Sequence, residues 1–308
     1  MRTVSTTAEC RQTLDEARAT GRSVGLVPTM GALHAGHISL MARAATECDV
    51  VAVTIFVNPL QFGDPEDIAK YPRTLQADLE QCAAAGVDLV FAPEVLEMYP
   101  NWPAPIATTV SVNGVSDRWE GASRPGHFDG VSTVVAKLFS IAGTCRAYFG
   151  EKDYQQLAVV RRMAVDLSLA VEVVGCPTVR EADGLALSSR NVRLSEAERA
   201  AAVVLSQALA AGRAALEQGV ADGAGVEAAM RAIVAPESLV QLDYAVVVDA
   251  ADLTPCAVVT DPTTVRLLIA AQVGPVRLID NCAGAVVAPV SAAPSHTGRF
   301  ERHLERIG

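Results

Sequence analysis

Aromatic side chains account for only 5% of the 308 residues, a scarcity that argues against a β-sandwich, while an alanine- and valine-rich, half-hydrophobic composition favours helices packed on a buried parallel sheet. Positive charge is also in short supply. Lys and Arg number 25 against 35 Asp and Glu, for a formal net charge of −10, which counts against nonspecific nucleic-acid binding and requires any anion site to be built locally. Paired cysteines are missing. Cys10, Cys48, Cys82, Cys145, Cys176, Cys256 and Cys282 form no C-x-x-C motif and read as small core hydrophobes in a reducing compartment. The N-terminus lacks an apolar signal segment, no run reaches membrane-spanning length, and there is no internal repeat. A cytoplasmic protein with neither nucleic acid nor membrane as partner is expected.

What is present is alternation. Short apolar runs at 23–27, 50–57, 87–92, 108–112, 147–150 and 171–175 read as strands, and helical patterns fall at 36–47, 75–85, 130–142 and 154–166. Such a series predicts an α/β fold with a Rossmann-like doubly wound parallel sheet over residues 1–180, whose ligands sit beyond the carboxyl ends of the strands. Composition shifts after Arg180. A capped alanine-rich helix at 195–219, with Ser195 and Glu198 as a capping box, is followed by a helix near 226–234 and strands at 242–248, 265–270 and 276–280. These predict a smaller α+β domain over 181–285, acting as a lid, with a flexible tail at 286–308. The connections at 58–74 and 93–112 are long and proline-punctuated, as functional loops often are.

The first strand-to-helix junction reads Val27-Pro28-Thr29-Met30-Gly31-Ala32-Leu33-His34-Ala35-Gly36-His37. Unpaired N–H groups at the helix start suit a phosphate, and two imidazoles three residues apart add donors. A metal pair is the alternative, but no H-E-x-x-H or cysteine cluster completes a ligand set. A second junction, Gly150-Glu151-Lys152-Asp153-Tyr154, offers a cation for phosphate, and Asp153 suits either ribose hydroxyls or a helix cap. Ser188-Ser189-Arg190-Asn191 reads as a phosphate clamp or as a capped loop beside an interdomain salt bridge. Gln61 and Gln156 each donate and accept, so together they could read a hydroxy acid. The segment around Glu120 and Arg124 reads as a loop held by that pair or as a substrate wall.

In order and spacing, Val27–His37, Phe56–Phe62, Tyr71–Thr74, Arg124–Gly130, Phe149–Leu157, Val179–Gly184 and Ser188–Asn191 resemble the pantothenate synthetases, the pantoate:β-alanine ligases of the nucleotidyltransferase superfamily. The resemblance covers roughly residues 20 to 285. Leu60 and Leu187 stand where the family often has methionine, swaps that conserve apolar volume. An adenylyltransferase or aminoacyl-tRNA synthetase sharing the H-x-G-H chemistry is the competing enzyme class. No Lys-Met-Ser-Lys-Ser-type run or basic RNA-binding domain supports the synthetase.

The resemblance implies that ATP and (R)-pantoate form a pantoyl adenylate, which β-alanine then converts to pantothenate, on the route to coenzyme A. It further implies Mg²⁺ carried with ATP and a homodimer. ATP binding falls to Met30, Gly31, Ala32, Leu33, His34, Ala35, Gly36 and His37, to Gly150, Glu151, Lys152 and Asp153, and to Val179, Leu187, Ser188, Ser189 and Arg190. Of these, His34, His37, Lys152, Ser188, Ser189 and Arg190 are the catalytic candidates. Pro28, Thr29, Met30, Gln61 and Gln156 would hold the substrate acids, and Asn58, Asp78, Glu120 and Arg124 would support substrate or loops.

Overall fold

The computed structural model describes residues 1–63, 68, 69 and 71–285; the expected tail at 286–308 and part of the 58–74 connection lie outside them. The larger sheet contains β1 (Arg2–Val4), β2 (Val24–Thr29), β3 (Val50–Ile55), β4 (Leu89–Phe91), β5 (Cys145–Gly150) and β6 (Val171–Cys176), all parallel, in the order β1-β4-β3-β2-β5-β6. From β2 the chain steps outward through β3 to β4, then returns to place β5 on the other side of β2. The strand order therefore reverses between β2 and β5, and a crevice opens beyond their carboxyl ends.

Both faces of the sheet are covered, as the near-continuous apolar strands require. Val27, Val51, Val53, Val90 and Tyr148 face one core with Leu40, Met41 and Ala44 of α2 (Ala35–Glu47) and Cys82 of α3 (Leu75–Ala84). Leu26, Ala52, Leu89, Phe91, Ala147 and Phe149 face the other, against α1 (Thr7–Ala19), α4 (His127–Ala142) and α5 (Tyr154–Asp166).

The second sheet is antiparallel and ordered β7 (Val240–Asp249), β8 (Val265–Val273) and β9 (Val276–Ala283). Its strands alternate between two cores. Ala245, Val247, Leu267 and Ile269 pack on α6 (Val204–Glu217) and α7 (Gly223–Val234), whereas Val246, Val248 and Leu268 join the core of the larger sheet. Hydrogen bonds cross the same seam, from Tyr154 Oη to the Ala250 carbonyl at 2.9 Å and from Trp119 Nε1 to the Leu253 carbonyl at 3.0 Å.

Two expectations from the sequence need correction. Residues 108–112 are not a strand: Val112 is buried, but the Val110 N–H donates to Thr133 Oγ1 at 2.9 Å rather than to a neighbouring strand. The edge position beside β4 belongs instead to Arg2–Val4, too short a run to show a period. The 195–219 helix is broken into Glu196–Ala201 and α6, although the Ser195–Glu198 capping box forms as expected.

One close approach sets the floor of the crevice. Gly130 in α4 lies so near the 3-10 turn Pro59–Gln61 that a β-carbon there would overlap the Leu60 carbonyl and stand 2.7 Å from Gln61 N. Backbone cannot step aside as a flexible side chain can. Gly130→Ala is therefore expected to lower unfolding stability by about 1–3 kcal/mol, read as an earlier urea midpoint; an unchanged midpoint would mean that this contact does not fix the Gln61 turn.

Candidate active site

The crevice between β2 and β5 is a cavity of about 570 Å³. Its wall on the β2 side begins with Thr29, whose hydroxyl donates to the Thr54 carbonyl at 2.7 Å and accepts from Gly31 N at 3.2 Å. The chain then turns through two left-handed residues, Gly31 (φ 84°) and Ala32 (φ 51°). The second is unusual for a residue with a β-carbon. Asp78 of α3, 1% exposed, holds the turn by accepting from Ala32 N at 3.0 Å, Leu33 N at 2.9 Å and Thr74 Oγ1 at 3.2 Å. Asp78 is thus a loop support, one of the two roles expected of it.

That turn delivers His34 to the N-cap of α2. Its Nδ1 accepts from Gly36 N at 3.2 Å, and His37 Nδ1 accepts from His34 N at 3.3 Å, so the two imidazoles form a capping box with ring centroids 4.1 Å apart. Because both Nδ1 atoms accept, both rings carry their proton on Nε2, leaving an N–H donor each for the cavity they line. Burial, then the charge of Lys152, holds His34 below its ordinary pKa; burial, then His34, brings His37 to about 4. At neutral pH they are uncharged donors. Metal ligation would require Nδ1 or Nε2 as a lone pair, and among the described residues no three His, Cys, Asp or Glu side chains converge on a metal position.

Opposite, the β5-to-α5 junction places Gly150, Lys152 and Asp153 on the cavity. Lys152 Nζ lies 3.3 Å from Asp153 Oδ1, and Asp153 makes no side-chain cap to α5, so the helix-cap alternative is not realised. Glu151 turns away: its carboxylate accepts from Arg266 of β8 at 3.0 Å, and it lines neither this cavity nor its neighbour. Asn281 of β9, 4% exposed, clamps the junction by donating to the carbonyls of Glu151 at 2.9 Å and Lys152 at 2.8 Å.

Gln61 is fixed by Asn58, whose amide nitrogen donates to Gln61 Oε1 at 3.1 Å and to the Gly130 carbonyl at 3.0 Å while its oxygen accepts from Tyr99 Oη at 2.8 Å. Gln61 Nε2 lies 2.9 Å from Met30 Sδ. In α5 the helical turn separates two adjacent glutamines by role. Gln155 is buried against Glu120 N and the carbonyls of Val115 and Arg118, whereas Gln156 lines the cavity. Pro28, Met30, Gly36, Val179, Leu187, Ser188, Ser189 and Arg190 also line it. Gly31, Ala32, Leu33 and Ala35 do not; Gly31 and Leu33 are buried beneath the turn. The Leu187 N–H donates to the Val179 carbonyl at 3.0 Å, joining the 177–179 wall to the serine loop. That loop does lie beside an interdomain ion pair, Arg180 to Asp280 at 2.6 Å.

Glu120 and Arg124 do not pair with each other. Glu120 takes Arg277 of β9 at 2.6 Å and Tyr244 Oη at 2.9 Å, tying the two sheets together. Arg124 instead meets His127 Nε2 at 3.1 Å and the Gln61 carbonyl at 3.4 Å. Asn281 and Arg277 carried no signal in the sequence, since each reaches the site from a distant segment, and His127, though it lies in the Arg124–Gly130 run, was not singled out as a site residue. Only the proximity of His127 to Arg124 in the chain could have hinted at its part.

The match to known proteins spans almost all of these elements. Residues 2–283 match the family model described as pantoate-beta-alanine ligase. The chain is 50% identical over 281 residues to the pantothenate synthetase of Rhizobium johnstonii, covering 91% of each, and 52% identical over 279 residues to that of Rubrobacter xylanophilus, covering 89% of this chain and 96% of the relative. The crystal structure of pantothenate synthetase from Thermus thermophilus superposes with a TM-score of 0.86 at 49% identity, covering 93% of this chain and all of that one. The Francisella tularensis pantoate-beta-alanine ligase, solved with beta-gamma ATP and beta-alanine, superposes with a TM-score of 0.73 at 32% identity over 93% of this chain and 99% of that one.

Asp78→Ala would leave the buried N–H of Leu33 and the partly buried N–H of Ala32 without their acceptor, a loss of about 1–3 kcal/mol for the buried group and less for the other. The expected result is a lower urea midpoint together with faster hydrogen exchange at Ala32 and Leu33. Exchange at those amides as slow as in the parent would show that another group holds the turn.

A pH dependence follows from the histidines. His37 and His127 both sit at about 4, in each case chiefly through burial, against an ordinary value of about 6.5. Between those values the unfolded chain binds more protons than the folded one, so stability rises with pH. The contribution is whole above about 6.5 and lost as pH falls through about 4. His127→Gln should therefore flatten the fall in unfolding free energy over that interval, measured by urea titration at fixed pH; an equally steep fall would place the proton uptake elsewhere.

Proposed function

The chain belongs to the pantoate-beta-alanine ligase family, a ligase that condenses (R)-pantoate with β-alanine using ATP, and from that premise we propose how its own residues divide the work. The observation that carries the assignment is convergence: the histidine turn, the Lys152 turn, the serine loop and both glutamines line one cavity at the strand-order reversal.

In the first step the pantoate carboxylate, ionised without help at neutral pH, attacks the α-phosphorus of ATP. A carboxyl oxygen–phosphorus bond forms as the bond from phosphorus to the bridging oxygen breaks, and pyrophosphate leaves. Negative charge grows on the leaving group, where the Nε2–H donors of His34 and His37 and the ammonium of Lys152 stabilise it. Neutral imidazoles suit this work because their capping bonds hold them in place before the charge develops. Ser188, Ser189 and Arg190 close on the phosphates, Gly150 and Asp153 meet ribose, and Val179 meets adenine through its backbone. Gln61 and Gln156 take the hydroxyl and carboxylate of pantoate, with Pro28, Thr29 and Met30 beside them.

In the second step the amine of β-alanine attacks the acyl carbon of the adenylate. A carbon–nitrogen bond forms, the carbon–oxygen bond to phosphate breaks, and AMP departs as the amine sheds a proton. Mg²⁺ accompanies ATP in this reading. A hard cation carried on ATP needs no dedicated protein cage, and no residue of this chain is assigned to it as a direct ligand. The metal would offset phosphate charge. Seven free cysteines fit a reducing cytoplasm, and among the described residues no helix is long and apolar enough to cross a membrane. The family likeness supports a homodimer, which sedimentation would measure.

The adenylation step can be tested by itself. Purified protein is expected to exchange labelled pyrophosphate into ATP when pantoate is present and β-alanine is absent. No exchange with pantoate, but exchange with a different acid, would overturn the substrate assignment.

A further inference from the structure

A second cavity of about 310 Å³ lies between the two sheets and shares a boundary with the first. Cations stand along it, but most are already occupied. Arg277 pairs with both Glu120 and Asp243, at 2.6 and 2.7 Å. Lys152 has Asp153 and lies on the phosphate side, while Arg190 and Arg193 are exposed on the serine loop. Arg124, like Lys152, Arg190 and Arg193, lines both cavities, but it alone of these cations is partly buried with, among the described residues, the neutral His127 ring and the Gln61 carbonyl rather than a carboxylate as its hydrogen-bond partners.

The arrangement around Arg124 is specific. A guanidinium can only donate, so His127 Nε2 must accept from it, which puts the ring proton on Nδ1, where it donates to the Gln61 carbonyl at 3.0 Å. This is the opposite tautomer to His34 and His37. Burial, then the charge of Arg124, keeps His127 neutral to about pH 4. Two fixed acceptors thus set the plane of the guanidinium without neutralising it. A partly desolvated charge kept this way is unfavourable unless an anion completes it, and a planar fork suits a carboxylate.

The reaction supplies one anion that still lacks a receptor. The phosphates have the histidine turn, Lys152 and the serine loop, and the pantoate carboxylate is consumed in the adenylate. β-Alanine brings a carboxylate that survives into product, two methylenes from the attacking nitrogen. We propose that Arg124 receives this carboxylate at the boundary of the two cavities and that His127 is a positioning residue for its guanidinium. The assignment rests on the two-step ligase reading given above.

The test compares β-alanine with n-propylamine, an amine nucleophile of similar length without the carboxylate. The parent enzyme should favour β-alanine strongly in kcat/KM. Arg124→Met should reduce that preference at least about tenfold, the loss expected for a charge-assisted pair, chiefly through KM for β-alanine. KM values for ATP and pantoate in pyrophosphate exchange should move much less. Arg124→Lys keeps the charge without the fork and should fall between, which keeps the test open if the methionine variant folds poorly. His127→Gln, which can both accept and donate, should keep the preference, whereas His127→Leu should reduce it. An unchanged preference in the Arg124 variants would overturn the assignment, as would a loss confined to ATP in the exchange reaction, which would give the guanidinium to the triphosphate. Absence of exchange in the parent protein would instead remove the ligase reading itself.

Discussion

A buried carboxylate holds the site open. Asp78 accepts the N–H groups of Ala32 and Leu33, and without those bonds the left-handed step at Ala32 would have little to offset its strain. The consequence passes directly along the chain. Only after that turn does His34 arrive at the N-cap of α2 with Nδ1 engaged, and only then does His37 close the capping box that leaves both Nε2–H groups for the cavity. Helix start, tautomer and proposed leaving-group stabilisation therefore share one origin. Gly31 belongs to the same constraint: its φ of 84° and a would-be β-carbon 2.9 Å from Asp78 Oδ2 exclude a larger residue.

The second sheet does more than cover the first. Its inner face contributes Val246, Val248 and Leu268 to the core beneath α4 and α5, and its polar residues reach the site's framework. Asn281 grips the carbonyls on either side of the Lys152 turn, Arg266 takes Glu151 and stacks 4.0 Å over the Tyr154 ring, and Arg277 takes Glu120. The turn that carries Lys152, the cation proposed to face phosphate, is thereby held through its backbone carbonyls, while the ammonium itself keeps Asp153 as its neighbour at 3.3 Å. Arg180 and Asp280 secure the same seam beside the serine loop.

Three histidines show how one side chain serves two electrostatic purposes. In His34 and His37 the backbone claims Nδ1 and the cavity receives Nε2–H; in His127 the carbonyl of Gln61 claims Nδ1–H and an arginine claims Nε2. Burial keeps His37 and His127 neutral well below pH 7. The difference between donor and acceptor is set by the partner on the other nitrogen, which no local sequence pattern encodes.

Much of the plan was legible in the chain. The apolar runs that became β2, β3, β4, β5 and β6 announced a parallel sheet, since strands buried on both faces must be apolar throughout, and the strand-to-helix junctions with glycine and histidine or lysine pointed to two segments that line one cavity. The Ser195–Glu198 capping box was equally plain because its bonds are local. The edge strand Arg2–Val4 was too short to announce itself, and the run at 108–112 looked like a strand because Val110 and Val112 are apolar in a short run, though only Val112 is buried and the run's hydrogen bonds go to a helix. Tertiary structure alone decided the partners of Glu120 and Arg124, the clamp of Asn281 on Lys152, and the neutral acceptor that His127 presents to a guanidinium. Those contacts join residues 3 to 157 positions apart, and which nearby group a charge finally meets depends on how the two sheets pack rather than on spacing along the chain.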